Sequence, residues 1–254
     1  ISGAEEALAF VSNYHKKNQG FIDGFANFPS SHLSIVRADG AMDLYHGVLR
    51  AVDAKGKKIL NDVDYQEYDQ HIAEGVKNWT YMKFPYLKNL GPEKGWYRVG
   101  PLARMNTADF IPTPLAQKAH EEFRAYTKGK PNGMSMHMHW ARLIEILHSA
   151  EMMKELLLDP DILGDDLIVK GKKGNEGVGV IEAPRGTLFH HYKIGKDDLI
   201  EMANLIVSTT NNNTPMNLAV ESVAKQYMNG ETNITEGMMN AVEVGIRAYD
   251  PCLS

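Results

Sequence analysis

Apolar and polar positions change period several times along this 254-residue chain, and each change marks an element. Residues 4–17 (AEEALAFVSNYHKK) space their apolar side chains as a helix does. From 33 to 60 the period shortens. Leu33-Ser34-Ile35-Val36, Asp43-Leu44-Tyr45 and Val48-Leu49-Arg50-Ala51-Val52 read as short strands. Asp39-Gly40 and Lys55-Gly56 punctuate them, as in a small antiparallel meander. Residues 61–90 hold Tyr65, Tyr68, Trp79, Tyr81, Phe84 and Tyr86 among mixed charges, and read as an aromatic-rich loop over a core or a partner. Prolines 85, 92, 101, 112 and 114 break the middle of the chain into loops.

Thr113-Pro114 opens a helix that runs to about Thr127, with proline in its first turn. The strongest helical pattern is 137–158, where Trp140, Leu143, Ile144, Leu147, Ala150 and Leu157 form one stripe. Residues 164–177 are rich in Gly and Lys and read as an exposed loop. Residues 178–194 read as a hairpin turning at Pro184-Arg185-Gly186. Leu205 to Thr210 reads as a further strand, running into the helix-start signature Asn211-Asn212-Asn213-Thr214-Pro215. Helices are predicted at 215–229 and 235–248. The pattern predicts an α+β fold, a helix-dominated bundle with small antiparallel sheets, built as a single domain over 1–254.

Composition narrows the classes. With 43% hydrophobic and 23% charged residues, the chain is neither disordered, collagen-like nor a coiled coil. A net charge of −5 supplies no broad basic field, so no nucleic-acid partner is expected. No apolar run reaches the ~18 residues of a membrane span. The N-terminus lacks the basic and apolar regions of a signal peptide and does not begin with Met, as expected of a fragment or a processed chain. The lone cysteine, Cys252, cannot form an internal disulfide, which favours a reducing compartment, expected to be the cytoplasm.

Candidate chemistry is sparse. Cys252 follows a helix in Asp250-Pro251-Cys252; most single cysteines are inert apolar residues, yet this one lies beside a carboxylate in a proline-fixed loop. Arg185 at a hairpin tip is either a solvated turn residue or a rigid fork of donors aimed at an anion or a metal-bound group. His190 and His191 are adjacent on a strand and point to opposite faces; with His137 and His139 they read as packing or hydrogen-bonding histidines rather than ligands. Phosphate loops, dinucleotide fingerprints, zinc helices and nucleophile elbows are absent. Three Asn-x-Thr triplets, at Asn78, Asn212 and Asn233, carry no meaning without secretion.

Taken together, Glu182-Ala183-Pro184-Arg185-Gly186, His190-His191-Tyr192, Asn204-Leu205-Ile206-Val207 and Arg247 through Ser254 resemble the C-terminal half of a nickel-iron hydrogenase large subunit. Lys83-Phe84-Pro85-Tyr86 and the run Tyr97 through Arg104 look like its cytoplasmic, cofactor-coupled branch, which includes NAD-reducing enzymes. The resemblance implies a nickel and an iron joined by cysteine thiolates, with carbon monoxide and cyanide on the iron. It implies Cys252 as a terminal nickel ligand, Arg185 over the open metal face, and Asp250 as a carboxylate pairing with that arginine. Pro184 would line the cyanide pocket, the Thr209 hydroxyl would donate to cyanide, and the Leu205 carbonyl would bind a structural magnesium. Electrons would leave through iron–sulfur clusters held by a small subunit, then a diaphorase or similar subunit, to a carrier such as NAD. The sequence departs from the pattern in lacking an N-terminal Cys-x-x-Cys and the second C-terminal cysteine, so the N-terminal part of the large subunit is expected as a further partner. The rival reading is a metal-free, hydrogenase-like quinone-binding or structural subunit of an NADH dehydrogenase-type complex; a third is a metal-free assembly precursor or apo state. The retained Pro-Arg-Gly and Asp-Pro-Cys weigh against the rival. Arg185 and Asp250 are expected within a few ångströms of the Cys252 sulfur.

Overall fold

The computed structural model describes residues 1–252. Helices fill the two ends of the described chain and three small sheets lie between them. The first helix, Ser2–Lys17, packs along the long helix His137–Leu157, which also carries Pro101–Thr107 and Pro114–Tyr126 on its flanks. Glu236–Arg247 packs on Asn213–Tyr227. These helices enclose one apolar core around Phe25, Leu102, Phe123, Trp140, Ile144, Leu147 and Val223. Thr113 holds the N-cap position with an extended backbone but turns its hydroxyl to His148, and Pro114 occupies the first turn, as the sequence predicts.

The first sheet has the order Lys58–Val63, Val48–Val52, Ser31–Val36, Tyr97–Arg98. Ser31–Val36 and Val48–Val52 fall on predicted runs and pair antiparallel as expected, whereas Lys58–Val63, which follows the Lys55-Gly56 turn, is not among the predicted strands. Tyr97–Arg98 joins parallel beside Ser31 and His32, a pairing between residues distant in sequence. Asp43-Leu44-Tyr45 is not a strand. Asp43 instead accepts from the backbone N–H groups of Tyr45 and His46, which turns the chain and takes those donors out of any ladder. The predicted aromatic loop at 61–90 contains a second, two-stranded sheet, Ile72–Lys77 against Thr80–Leu87. Burial on Thr80–Leu87 rises along the strand rather than alternating: Tyr81 and Lys83 are exposed, while Phe84, Pro85 and Leu87 are buried.

The third sheet contains the hairpin Glu176–Ala183 and Gly186–Ile194, turning at Pro184-Arg185 as predicted, followed by Ile200–Ile206. The last strand starts earlier than its apolar pattern suggests and stops at Ile206. Ser208–Asn211 is a short helix rather than strand. A second apolar core, with Leu33, Ile35, Leu49, Tyr68, Tyr97, Val180, Phe189 and Ile206, lies between the first and third sheets. The 164–175 segment is exposed and without regular structure. No described helix is long and apolar enough to cross a membrane.

Candidate active site

Four separated pieces of chain meet at the tip of the third sheet: the turn at 184–186, the short helix at Ser208–Asn211, the segment after Arg247, and the start of Pro101–Thr107. The turn is seated by shape. Gly186 sits at φ +138°, and a Cβ there would lie 2.2 Å from Val99 Cγ2. Gly100, at φ +95°, lets the Arg185 carbonyl approach to 2.8 Å of where its own Cβ would be. Two glycines therefore dovetail two backbones, and any side chain at either would push them apart.

Beneath the turn runs a polar tract that sequence reading took for a strand end and a helix start. Ser208 through Asn213 are all buried, and each makes use of that burial except Thr210, for which no side-chain bond is seen. Ser208 Oγ donates to the Gly186 carbonyl (2.7 Å), and Asn211 Nδ2 donates to the Thr187 carbonyl (2.9 Å). Asn211 Oδ1 accepts from the Tyr97 hydroxyl (2.7 Å), and Asn212 Oδ1 accepts from the Val99 N–H (3.0 Å). Asn213 Nδ2 donates to the Lys83 carbonyl (2.7 Å). A buried polar group is costly unless paired, so these bonds tie the hairpin, the Tyr97–Arg98 strand and the second sheet into one unit.

Arg185 and Asp250 meet across this unit. Arg185 Nε donates to the Asp250 backbone carbonyl at 2.5 Å and lies 3.3 Å from Asp250 Oδ2, while Nη2 reaches Oδ1 at 3.4 Å. The Arg185 side chain is 37% exposed. Asp250 sits at φ +50°, the left-handed region that Asp tolerates better than most residues. Two residues on, Cys252 is exposed, with Sγ 3.2 Å from Thr209 Oγ1. The Cys252 N–H donates to the same hydroxyl oxygen at 3.4 Å, and in the Sγ–Oγ1 contact either atom can be the donor. Arg142 Nη2 donates to the Ala248 carbonyl and anchors the segment to the long helix.

Behind the turn lies a group that sequence reading passed over. In the sequence Arg104 is only the end of the run Tyr97 to Arg104. It is fully buried and forks onto Glu145, Nε to Oε1 at 2.5 Å and Nη2 to Oε2 at 2.7 Å. Its Nη1 also reaches Glu182 Oε2 at 2.5 Å. Burial pushes the Glu182 carboxyl up, against the pull of Arg104 beside it. The usable signal was three charged residues inside otherwise apolar runs.

Other expected residues fall as follows. Leu205 lies on Ile200–Ile206 opposite His190. His190 bonds the Tyr192 hydroxyl, and His191 bonds Tyr68 and Glu176. His137 faces Asn132 and Asp23, and His139 meets Arg142. All four make the packing and hydrogen-bonding contacts read from the sequence. Among the described residues no group of three or more His, Cys, Asp or Glu could hold a metal ion. The Cys252 sulfur, with a hydroxyl beside it and a cationic fork on the same edge, fits one corner of a thiolate-bridged metal centre. It is not a closed ligand set.

The family model for nickel-dependent hydrogenases matches residues 21–254, and the chain belongs to that family. It is 52% identical to the NAD-reducing hydrogenase HoxS subunit beta of Cupriavidus necator, over all of this chain and 52% of that protein. It is 37% identical to an F420-non-reducing hydrogenase chain of Methanothermobacter thermautotrophicus, over 99% of this chain and 53% of that one. The chain thus spans about half the length of these curated relatives. Its fold superposes on an NAD+-reducing [NiFe]-hydrogenase crystallised in the H2-reduced state with a TM-score of 0.95 at 45% identity, covering 99% of this chain and 56% of that one. These matches bear out the α+β fold and the family resemblance.

Proposed function

We propose that this chain forms the C-terminal portion of the catalytic large subunit of a nickel-iron hydrogenase that works in the cytoplasm. Its electrons would pass to an iron–sulfur small subunit, then to diaphorase-type subunits, and finally to NAD. The observation that carries the reading is the convergence of Arg185, Thr209, Asp250 and Cys252 from three chain segments onto one edge of the fold. The nickel-iron centre, with carbon monoxide and cyanide on its iron, would supply the reversible heterolytic splitting of H2. Cys252 would hold it through sulfur, a soft donor suited to nickel. The remaining thiolates would come from outside the described residues. Arg185 keeps its own protons and presents a fixed positive fork on the open side. The Cys252 sulfur is therefore the protein's acceptor for the proton released. Asp250 holds the fork in place. The Thr209 hydroxyl and the Pro184 wall would receive the small anionic ligands, and the Leu205 carbonyl would supply one oxygen to a magnesium ion.

The test is Cys252→Ser in the fully assembled enzyme, with nickel content and H2-driven NAD reduction measured together. A hydroxyl is a harder and far less acidic donor, so both nickel and activity should be lost. Arg185→Lys should keep the nickel and lower turnover by about 10²-fold, the scale of losing one preorganised donor. Full activity in Cys252→Ser would sink the proposal.

A further inference from the structure

The bonds Arg104 makes beyond its two carboxylates are what charge pairing does not require. Nη1 and Nη2 each donate a second time, to the Ala183 carbonyl at 3.1 Å and the Pro184 carbonyl at 3.2 Å. These are the two residues directly before Arg185. With the bonds to Glu145 and Glu182, every N–H of this guanidinium is engaged. Glu182 in turn takes both sides of the turn. Its Oε1 accepts from Thr187 Oγ1 at 2.7 Å, just past the tip, and from the Ile35 N–H of the first sheet at 2.9 Å. The side chains of Arg104 and Glu182 are 1% and 0% exposed. Glu145, on the long helix, closes the set from the far side.

We infer that the Arg104–Glu145–Glu182 triad is a positioning device for Arg185, fixing the backbone of residues 182–187 so that the guanidinium is aimed by its root rather than by its tip. This rests on the functional reading above. The geometry separates the two tasks. Among the described residues the tip of Arg185 bonds Asp250, and its side chain is part-exposed, so it can adjust to a ligand. Its root is held by carbonyl bonds on one side, by the Thr187 hydroxyl on the other, and from above by the glycine dovetail at Gly100 and Gly186. A buried set of one cation and two carboxylates is a poor source of stability, because desolvation offsets much of the attraction. It is an effective source of fixed geometry, since a bidentate fork tolerates little rotation.

The experiment uses the assembled holoenzyme with Glu145→Gln, and Thr187→Val as the milder variant should the first fail to fold. Glu145→Gln should retain nickel and iron and leave the KM for H2 nearly unchanged. Its kcat should fall by about 10-fold to 10²-fold, the scale of a misplacement near 1 Å. Combined with Arg185→Lys it should cost no more than Arg185→Lys alone, because both act through one side chain. Amide hydrogen exchange at 183–187, read on the metal-free form, should quicken in either variant. Losses that multiply in the double variant, or unchanged exchange at the turn, would overturn the inference. If the unaltered enzyme holds no nickel and consumes no H2, the functional reading fails, and the exchange measurement still decides whether the triad holds the turn.

Discussion

Gly186→Ala is the sharpest single-residue test of how the site is seated. The new methyl would meet Val99 Cγ2 at 2.2 Å from a backbone at φ +138°, so the hairpin tip must lift or Val99 must move. Overpacking of this kind costs roughly 1–3 kcal/mol, with a further penalty for the backbone region. Chemical denaturation should show that loss. Adding Val99→Ala removes the 2.2 Å contact but leaves the Cβ of residue 99 at 2.7 Å and Gly100 N at 2.8 Å, so it should recover only part of the loss. Complete recovery would mean that the backbone at 186 carries no strain. Residues of this sort were half legible. Arg185, Asp250 and Cys252 stand out because their types are chemically conspicuous. Arg104 and Glu145 do not, because a charged residue in a helix reads as solvated until its neighbours are known.

At the scale of elements, the seam between Ser2–Lys17 and His137–Leu157 buries His15 against His137, ring centroids 4.9 Å apart, with Trp140 and Tyr126 around them. Burial, helped by the neighbouring His137 and His139, pushes His15 down from 6.5 to about 4. Burial does the same to His137, opposed by Asp23, whose carboxylate lies 3.4 Å away. A histidine whose folded pKa is depressed takes up its proton more readily unfolded. Stability should therefore be full above pH 6.5 and fall as the pH drops from 6.5 toward 4. The thermal midpoint across that range should fall less steeply in His15→Phe; a midpoint that rises on acidification would contradict the seam. The helices themselves were legible, since their apolar stripes recur over many residues. The hairpin at 72–87 and the short helix at Ser208–Asn211 were not. In the first, burial along Thr80–Leu87 does not alternate, so no period of two marks the strand. In the second, the polar side chains are satisfied by partners far away in sequence, which no local pattern encodes.

For the whole molecule, the telling surface is the end of the long helix and the segment after it. Met153, Leu156, Leu157, Leu158, Ile162, Leu163, Leu167, Ile168 and Val169 are all exposed, Leu163 at 87% and Val169 at 91%. So many exposed apolar side chains along one stretch of chain favour association. The 254-residue chain on its own should bind a hydrophobic dye and self-associate in light scattering, and assembly into the complex proposed above should suppress both. A monodisperse, dye-silent chain would show that this surface needs no cover.

The long helix has one more consequence. Arg142 holds the segment bearing Asp250, and Glu145 holds Arg104 and through it the hairpin. The two walls of the site are thus hung on positions three residues apart, a rise of about 4.5 Å along one helix axis. The gap between them is a matter of helical pitch, not of loop length. Lengthening the 164–175 loop leaves that gap alone, because both attachment points precede it. One residue added between 142 and 145 would swing one wall about 100° around the axis relative to the other. In this fold the helix is the ruler, and the loops are free to drift in length around it.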